Sequence, residues 1–201
     1  ADKRLLTTMI TDCAWVILAG GQASRMEGVD KGFSVLSQKP FIEHVLERLK
    51  PQTDDIFISA NRNIQQYQRY APVIVDTVKG YQGPIAAFYS AFQHIDKEWI
   101  GFVPCDCPFI SDNLVQRLTC AINDTVDIVV AHDGDYSQPV FTAMNRRIVP
   151  QIKSCLDQKQ RKLAFLHQRA RCCYVDFSDC KTMFINLNTP EDIVNVTRDS
   201  L

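Results

Sequence analysis

Residues 15–32 constrain this chain more than any other stretch. They open as the apolar run Trp15-Val16-Ile17-Leu18-Ala19, which has the character of a buried strand, and break at Gly20-Gly21. They continue as a polar loop carrying Arg25 and Lys31. Glycines let a backbone approach a ligand closely and tolerate positive φ, and the free N–H groups of such a loop form an anion-binding concavity. Arg adds a fork that matches phosphate oxygens, and Lys adds a mobile point charge. A strand ending in paired glycines with two cations beyond it therefore suits a polyanion such as a nucleoside triphosphate. The loop is neither of the familiar phosphate loops. Lys31 is followed by Gly32 with no glycine five residues before it, and Gln22-Ala23 follow the glycine pair. Taken alone, a strand followed by a tight turn with two solvated cations would also account for it.

Strand-like and helix-like segments alternate along the rest of the chain. Apolar runs predict strands at 15–18, 56–59, 73–75, 99–103, 128–131, 140–144, 172–175 and 183–187. Helical spacing predicts helices at 40–50, 64–70, 84–95, 111–122, 146–156 and 162–168. Ser111 is the expected N-cap of the fourth of these, and a last helix is opened by Thr189 as N-cap with Pro190 in its first turn. The alternation predicts an α/β fold, a single three-layer α/β/α domain with a mostly parallel (mixed) sheet, Rossmann-like. Ligands of such sheets bind outside the carboxyl ends of the strands. Here the first four strands end at Gly20-Gly21, Asn61, Asp76 and Asp106. Four strand ends carrying polar or glycine punctuation point to a nucleotide site.

Composition narrows the function. At a formal net charge of −1, no global field draws the chain to nucleic acid or to an anionic membrane. No apolar run approaches the ~20 residues that span a bilayer. The eight cysteines form no C-x-x-C pair, so they read as reduced, small apolar residues rather than zinc ligands or a disulfide framework. The expected location is cytoplasmic. His44, His94, His132 and His167 are scattered, Ser24 lacks a G-x-S-x-G context, and no hydrolase triad is visible.

The motif L-A-G-G-x-x-x-R-M followed by D-K-G resembles the signature of nucleotidyltransferases that activate small molecules with an NTP. Within them it is most similar to the molybdenum cofactor guanylyltransferase family. Further matches are Ile58-Ser59-Ala60-Asn61-Arg62, Val75-Asp76, Gly83-Pro84, Pro104-Cys105-Asp106-Cys107-Pro108, Val175-Asp176-Phe177-Ser178-Asp179 and Asn186-Leu187-Asn188-Thr189-Pro190. They span nearly the whole chain. One departure lies in the loop itself, where many relatives have glycine and this chain has Glu27.

The resemblance implies that residues 1–201 form one nucleotidyltransferase domain, with a nucleotide-binding N-terminal half and an acceptor-binding C-terminal half. It implies GMP transfer from GTP to molybdopterin, with release of pyrophosphate. Arg25, Lys31 and Asp106 would be catalytic, and Asp106 would hold Mg²⁺. Leu18, Ala19, Gly20, Gly21, Lys31, Asn61, Asp76 and Asp106 would bind GTP, while Pro139, Asn186 and Asn188 would contact molybdopterin. Partners would be other proteins of cofactor assembly and acceptor molybdoenzymes. Mg²⁺ prefers one or two carboxylates together with phosphate oxygens, which suits Asp106. Asn61 offers a donor and an acceptor, and an ionised Asp76 accepts only. Preference for guanine comes from the resemblance alone. Residue chemistry leaves open a cytidylyl or sugar-phosphate transferase, or a nucleotide-binding regulatory module without catalysis.

Overall fold

The computed structural model describes residues 12–20, 30–80 and 83–199, with side chains to residue 196. The apolar run that opens the motif becomes β1 (Cys13–Leu18). A two-residue pair, β2 (Val35–Leu36) and β3 (Lys39–Pro40), forms a separate antiparallel hairpin. The main sheet adds β4 (Ile56–Ser59), β5 (Val73–Ile74), β6 (Trp99–Pro104), β7 (Ile128–His132), β8 (Ser137–Asn145) and β9 (Cys172–Asp176). Its seven strands run in the order β5-β4-β1-β6-β8-β7-β9. All pairings are parallel except those of β8, which runs against both β6 and β7. The sheet is thus mixed and mostly parallel, as the alternating pattern predicts.

The helices are α1 (Phe41–Leu49), α2 (Ile64–Tyr67), α3 (Pro84–His94), α4 (Leu114–Thr119), α5 (Val149–Asp157), α6 (Leu163–His167) and α7 (Pro190–Asp199). Side chains alternate across a strand, and that alternation assigns the layers. Trp15 and Ile17 share a core with Ile42, Val45 and Leu49 of α1 and with Leu114 and Leu118 of α4. Ala14 and Val16 point to the other face, against Phe88 and Ala91 of α3, Ile152 of α5 and Leu166 of α6. β1 is buried on both faces, which is why it reads as a continuous apolar run. Among the described residues, no helix is long and apolar enough to cross a membrane.

Two expectations are corrected. The helix expected at 111–122 is the shorter α4, and Ser111 is not its N-cap. The Gln52 side chain does that work from another part of the chain: its Oε1 accepts from Val115 N at 2.9 Å, and its Nε2 donates to Ser111 O at 2.9 Å. Residues 183–187 are not a strand. Two short 3₁₀ pieces, joined across a kink at Cys180, occupy Ser178–Phe184, and the chain then passes irregularly to Asn188. Its apolar residues fill gaps instead of joining a ladder. Phe184 packs edge-on against Phe141 and Phe177, with centroids 5.0 and 6.2 Å away. Leu187 is buried with Leu36 and Phe41. By contrast, Thr189 caps α7 as expected, accepting from Asp192 N at 3.1 Å, and Asp192 answers by accepting from Thr189 N at 2.8 Å. This is the reciprocal arrangement of a capping box.

Gly101 shows how tightly the sheet centre is packed. It lies beside Trp15 in the β1–β6 pairing, and a Cβ there would come to 2.5 Å from the ring of Trp15, which is wholly buried. No backbone rotation of a central strand relieves such a clash. Gly101→Ala is expected to destabilise the fold by about 1–3 kcal/mol, the usual cost of overpacking a filled core. Urea denaturation of the two proteins measures it.

Candidate active site

The parallel register sets the carboxyl ends of the central strands side by side. Leu18 of β1 is level with Ser59 of β4 and with Pro104 of β6. Residues just past those ends therefore converge on one edge of the sheet. A cleft of about 520 Å³ opens there, lined by Gly20, Lys31, Asn61, Asp76, Asp106 and Asn186 among others. Gly80, Gly83 and Pro84 form part of its rim, so α3 begins at the cleft with no side-chain cap on its first turn. Such a helix start presents unpaired N–H groups to a ligand.

One end of the cleft is charged. Lys31 Nζ lies 2.9 Å from Asp106 Oδ2 and 2.6 Å from Asn188 Oδ1. The Lys31 and Asp106 side chains are 19 % and 11 % exposed, so the pair is largely withdrawn from solvent. Lys31 begins a 3₁₀ turn capped by Asp30. Asp106 lies two residues past the end of β6, and its backbone O accepts from Leu187 N at 2.9 Å. That bond brings the segment carrying Asn186 and Asn188 against the end of β6. Asn188 N in turn donates to Asp192 Oδ2 at 2.9 Å, which ties the segment to the α7 cap.

The other end is polar and uncharged apart from Asp76. Asn61 Nδ2 donates to Asp76 Oδ2 at 3.0 Å, and Asp76 N donates to Asn61 Oδ1 at 2.9 Å. Among the described residues, the second carboxylate oxygen, Oδ1, is buried without a hydrogen-bond partner. Burial raises the Asp76 pKa above the ordinary carboxylate value, and the Asn61 bond opposes the rise. A buried acceptor without a donor is costly, and the Asp76 residue that carries it lines the cleft together with Asn61. At Gly20 a side chain would crowd Asn61, with a Cβ 3.3 Å from Nδ2.

The structure thus brings together Leu18, Gly20, Lys31, Asn61, Asp76, Asp106, Asn186 and Asn188. Ala19 is buried beside them, its N donating to Ser59 O at 2.8 Å. Gly21 and Arg25 lie outside the described residues. Pro139 is half-buried in β8, next to Val140, which lines the cleft. There the pairing with β7 slips, from Val130 opposite Thr142 to Ala131 opposite Gln138, and a strand proline is tolerated at such an irregularity. Asp133 and Asp135 make a turn instead of an ion site: Asp133 Oδ1 accepts from Asp135 N and Tyr136 N. Burial raises the thiols of Cys105 and Cys107 well above the usual range, so neither supplies a thiolate.

A domain model described as a MobA-like NTP transferase matches residues 15–172. A molybdenum cofactor guanylyltransferase of Vibrio vulnificus is 49 % identical over 180 residues, covering 90 % of this chain and 92 % of that protein. One from Vibrio cholerae is 47 % identical over 191 residues, covering 95 % and 94 %. This chain belongs to the molybdenum cofactor guanylyltransferase family. Solved structures agree on the fold. Molybdopterin-guanine dinucleotide biosynthesis protein A of Archaeoglobus fulgidus superposes with a TM-score of 0.76 at 23 % identity, over 93 % of this chain and 98 % of that one. A 4-diphosphocytidyl-2C-methyl-D-erythritol synthase of Anaerococcus prevotii reaches 0.68 at 13 % identity, over 96 % and 98 %. The fold alone therefore does not choose the base.

The family motif D-K-G contains a residue to which sequence reasoning gave no role. Asp30 is buried, and its carboxylate accepts from Gly32 N, Asn63 Nδ2 and the Tyr67 hydroxyl. Its position next to Lys31 was the available signal, but nothing in the sequence says that Tyr67 reaches it.

Asp76 links the site to stability with a definite sign. A carboxyl whose folded pKa is raised contributes its full stability below the unfolded value near 3.8, and loses it as pH rises through the folded value. At neutral pH its ionised form is therefore a burden on stability. Asp76→Asn is expected to raise Tm at pH 7, and the gain should shrink as pH falls through the acid range. Thermal melts of both proteins across pH 4–8 check this.

Proposed function

We propose that this protein transfers GMP from GTP to molybdopterin, giving molybdopterin guanine dinucleotide and pyrophosphate. The chain would act as one nucleotidyltransferase domain over residues 1–201, its N-terminal half holding GTP and its C-terminal half the acceptor. The observation that carries the reading is the convergence of Lys31, Asp106 and Asn188 at one end of a cleft whose other end holds the Asn61–Asp76 pair. A triphosphate needs charge at one end of its site, and a base needs directional donors and acceptors at the other. Guanine presents N1–H and N2–H₂, two donors of the kind a carboxylate such as Asp76, which lines the cleft, accepts. The relatives' names support guanine over cytosine.

The reaction forms one bond and breaks one. A terminal phosphate oxygen of the acceptor attacks the α-phosphorus of GTP, the bridge between the α- and β-phosphates breaks, and pyrophosphate leaves with that electron pair. Such transfers depend on alignment and charge neutralisation more than on proton movement. Lys31 would neutralise the phosphates, with Arg25 and the Gly20-Gly21 backbone as further phosphate ligands. In the structure its charge is balanced by Asp106, so neither group is left uncompensated. Asn186 lines the cleft beside Asp106, and with Pro139 it would face the acceptor. Asn188 would join them there while orienting the Lys31 head.

Asp106 fits a magnesium ion held mainly by the nucleotide. Among the described residues, its Oδ1 has only a weak thiol contact, Cys107 Sγ at 4.0 Å. Among the described residues, no group of three or more His, Cys, Asp or Glu side chains forms a metal cage. A single carboxylate completed by phosphate oxygens and water is the usual magnesium arrangement at phosphate sites. Bound there, the ion would supply positive charge against the phosphate oxygens. The reading also implies partner proteins of cofactor assembly and acceptor molybdoenzymes, and a cytoplasmic location.

Mass spectrometry of the product made from GTP, Mg²⁺ and purified molybdopterin tests the reading. The guanine dinucleotide is expected, and a product formed only from CTP would overturn it. Lys31→Ala is expected to lower kcat at least ~100-fold, the scale for losing one preorganised charge donor. Asp106→Ala should abolish turnover while leaving the circular dichroism spectrum unchanged. An Asp106→Ala enzyme that keeps its Mg²⁺ dependence and a substantial rate would move the metal to another ligand.

A further inference from the structure

The residue before Lys31 is held more firmly than a turn requires. Asp30 is 8 % exposed, and among the described residues the donors to its carboxylate are all uncharged. Gly32 N donates to Oδ1 at 3.2 Å, the Tyr67 hydroxyl donates to the same oxygen, and Asn63 Nδ2 donates to Oδ2 at 3.0 Å. Asn or Ser would cap the 3₁₀ turn as well as Asp does, without the cost of a buried charge. The surroundings are also built to accept Tyr67. Its side chain is fully buried, and its ring stacks on Phe33 with centroids 4.4 Å apart. A Cβ on Gly32 would collide with its hydroxyl and ring, so glycine at that position lets the phenol reach Asp30. Asn63 sits at φ 51° and ψ 34°, a left-handed conformation that delivers its amide to the same carboxylate.

We propose that Asp30, Tyr67 and Asn63 form a positioning unit for Lys31, with Tyr67 acting on the transfer reaction without touching substrate. The unit fixes the backbone from which the lysine stem departs. Asp106 and Asn188 fix the ammonium at the far end. A flexible four-carbon stem anchored at both ends presents its charge in one place, which is what preorganisation of the site demands. Helix α2, far from the cleft in sequence, thereby becomes part of the reaction apparatus. The kinetic consequence rests on the guanylyl-transfer reading, and the geometric one does not.

A double-mutant cycle with Lys31 tests the proposal. Tyr67→Phe is expected to lower kcat about tenfold, as small misplacements of a catalytic group do, with KM for GTP changed less than about twofold. In a Lys31→Ala background the same substitution should change kcat less than about twofold, because the group it positions is gone. An equal factor in both backgrounds, or no effect on the parent protein, overturns the proposal. Should Tyr67→Phe fail to fold by thermal melt, Asn63→Gly takes its place. It suits the left-handed backbone, removes one donor, and should show the same non-additivity. A second readout needs no substrate: labelling with acetic anhydride, followed by mass spectrometry, gives the rate at Lys31 relative to exposed Lys50. That ratio should rise several-fold in Tyr67→Phe, and an unchanged ratio overturns the positioning role. If the parent protein makes no guanylylated product, the proposed activity fails, and the labelling ratio still decides what Tyr67 does.

Discussion

The ammonium of Lys31 is shared between a carboxylate at the end of β6 and an amide oxygen just before α7. Three segments far apart in sequence meet at that one nitrogen. The pair is mostly shielded from water, where an ion pair is stronger and its desolvation more expensive. Its geometry therefore depends on everything that fixes the three segments. β1 and β6 set the sheet edge, the Leu187–Asp106 backbone bond sets the last loop, and Asp30 sets the first. The Lys31–Asp106 pair thus places one positive and one negative group side by side at this end of the cleft.

Much of this was legible in the chain. Strands buried on both faces leave long apolar runs, and a run that must stop at a ligand stops at Gly, Asn or Asp. The ends of β1, β4 and β6 were readable for that reason, and their parallel alignment follows from alternation with helices. Thr189 was readable as a cap because its partner is three residues away.

What escaped was long-range. Gln52 caps α4 from 63 residues away, so Ser111 looked like a local solution to a problem solved elsewhere. Residues 183–187 have the apolar content of a strand, but Phe184 and Leu187 are spent in two different clusters. Tyr67 reads as a packing residue in a short polar helix, and only the folded chain shows its hydroxyl on Asp30. Periodicity reports which face of an element is covered. It carries no information about which distant side chain completes a hydrogen bond.

The reversed direction of β8 has an effect on how the site can diversify. The parallel strands β1, β4, β5 and β6 deliver their last residues, or those just past them, to the cleft, whereas β8 delivers its first ones, around Pro139 and Val140. Those residues follow directly on the exposed turn from His132 to Tyr136. Lengthening or shortening that turn would remodel one wall without shifting any strand that carries the glycines, Asn61 or Asp106. On the function proposed above, selectivity for the acceptor would then change through insertions and deletions in one surface loop, while the nucleotide side stays under the stricter control of the sheet.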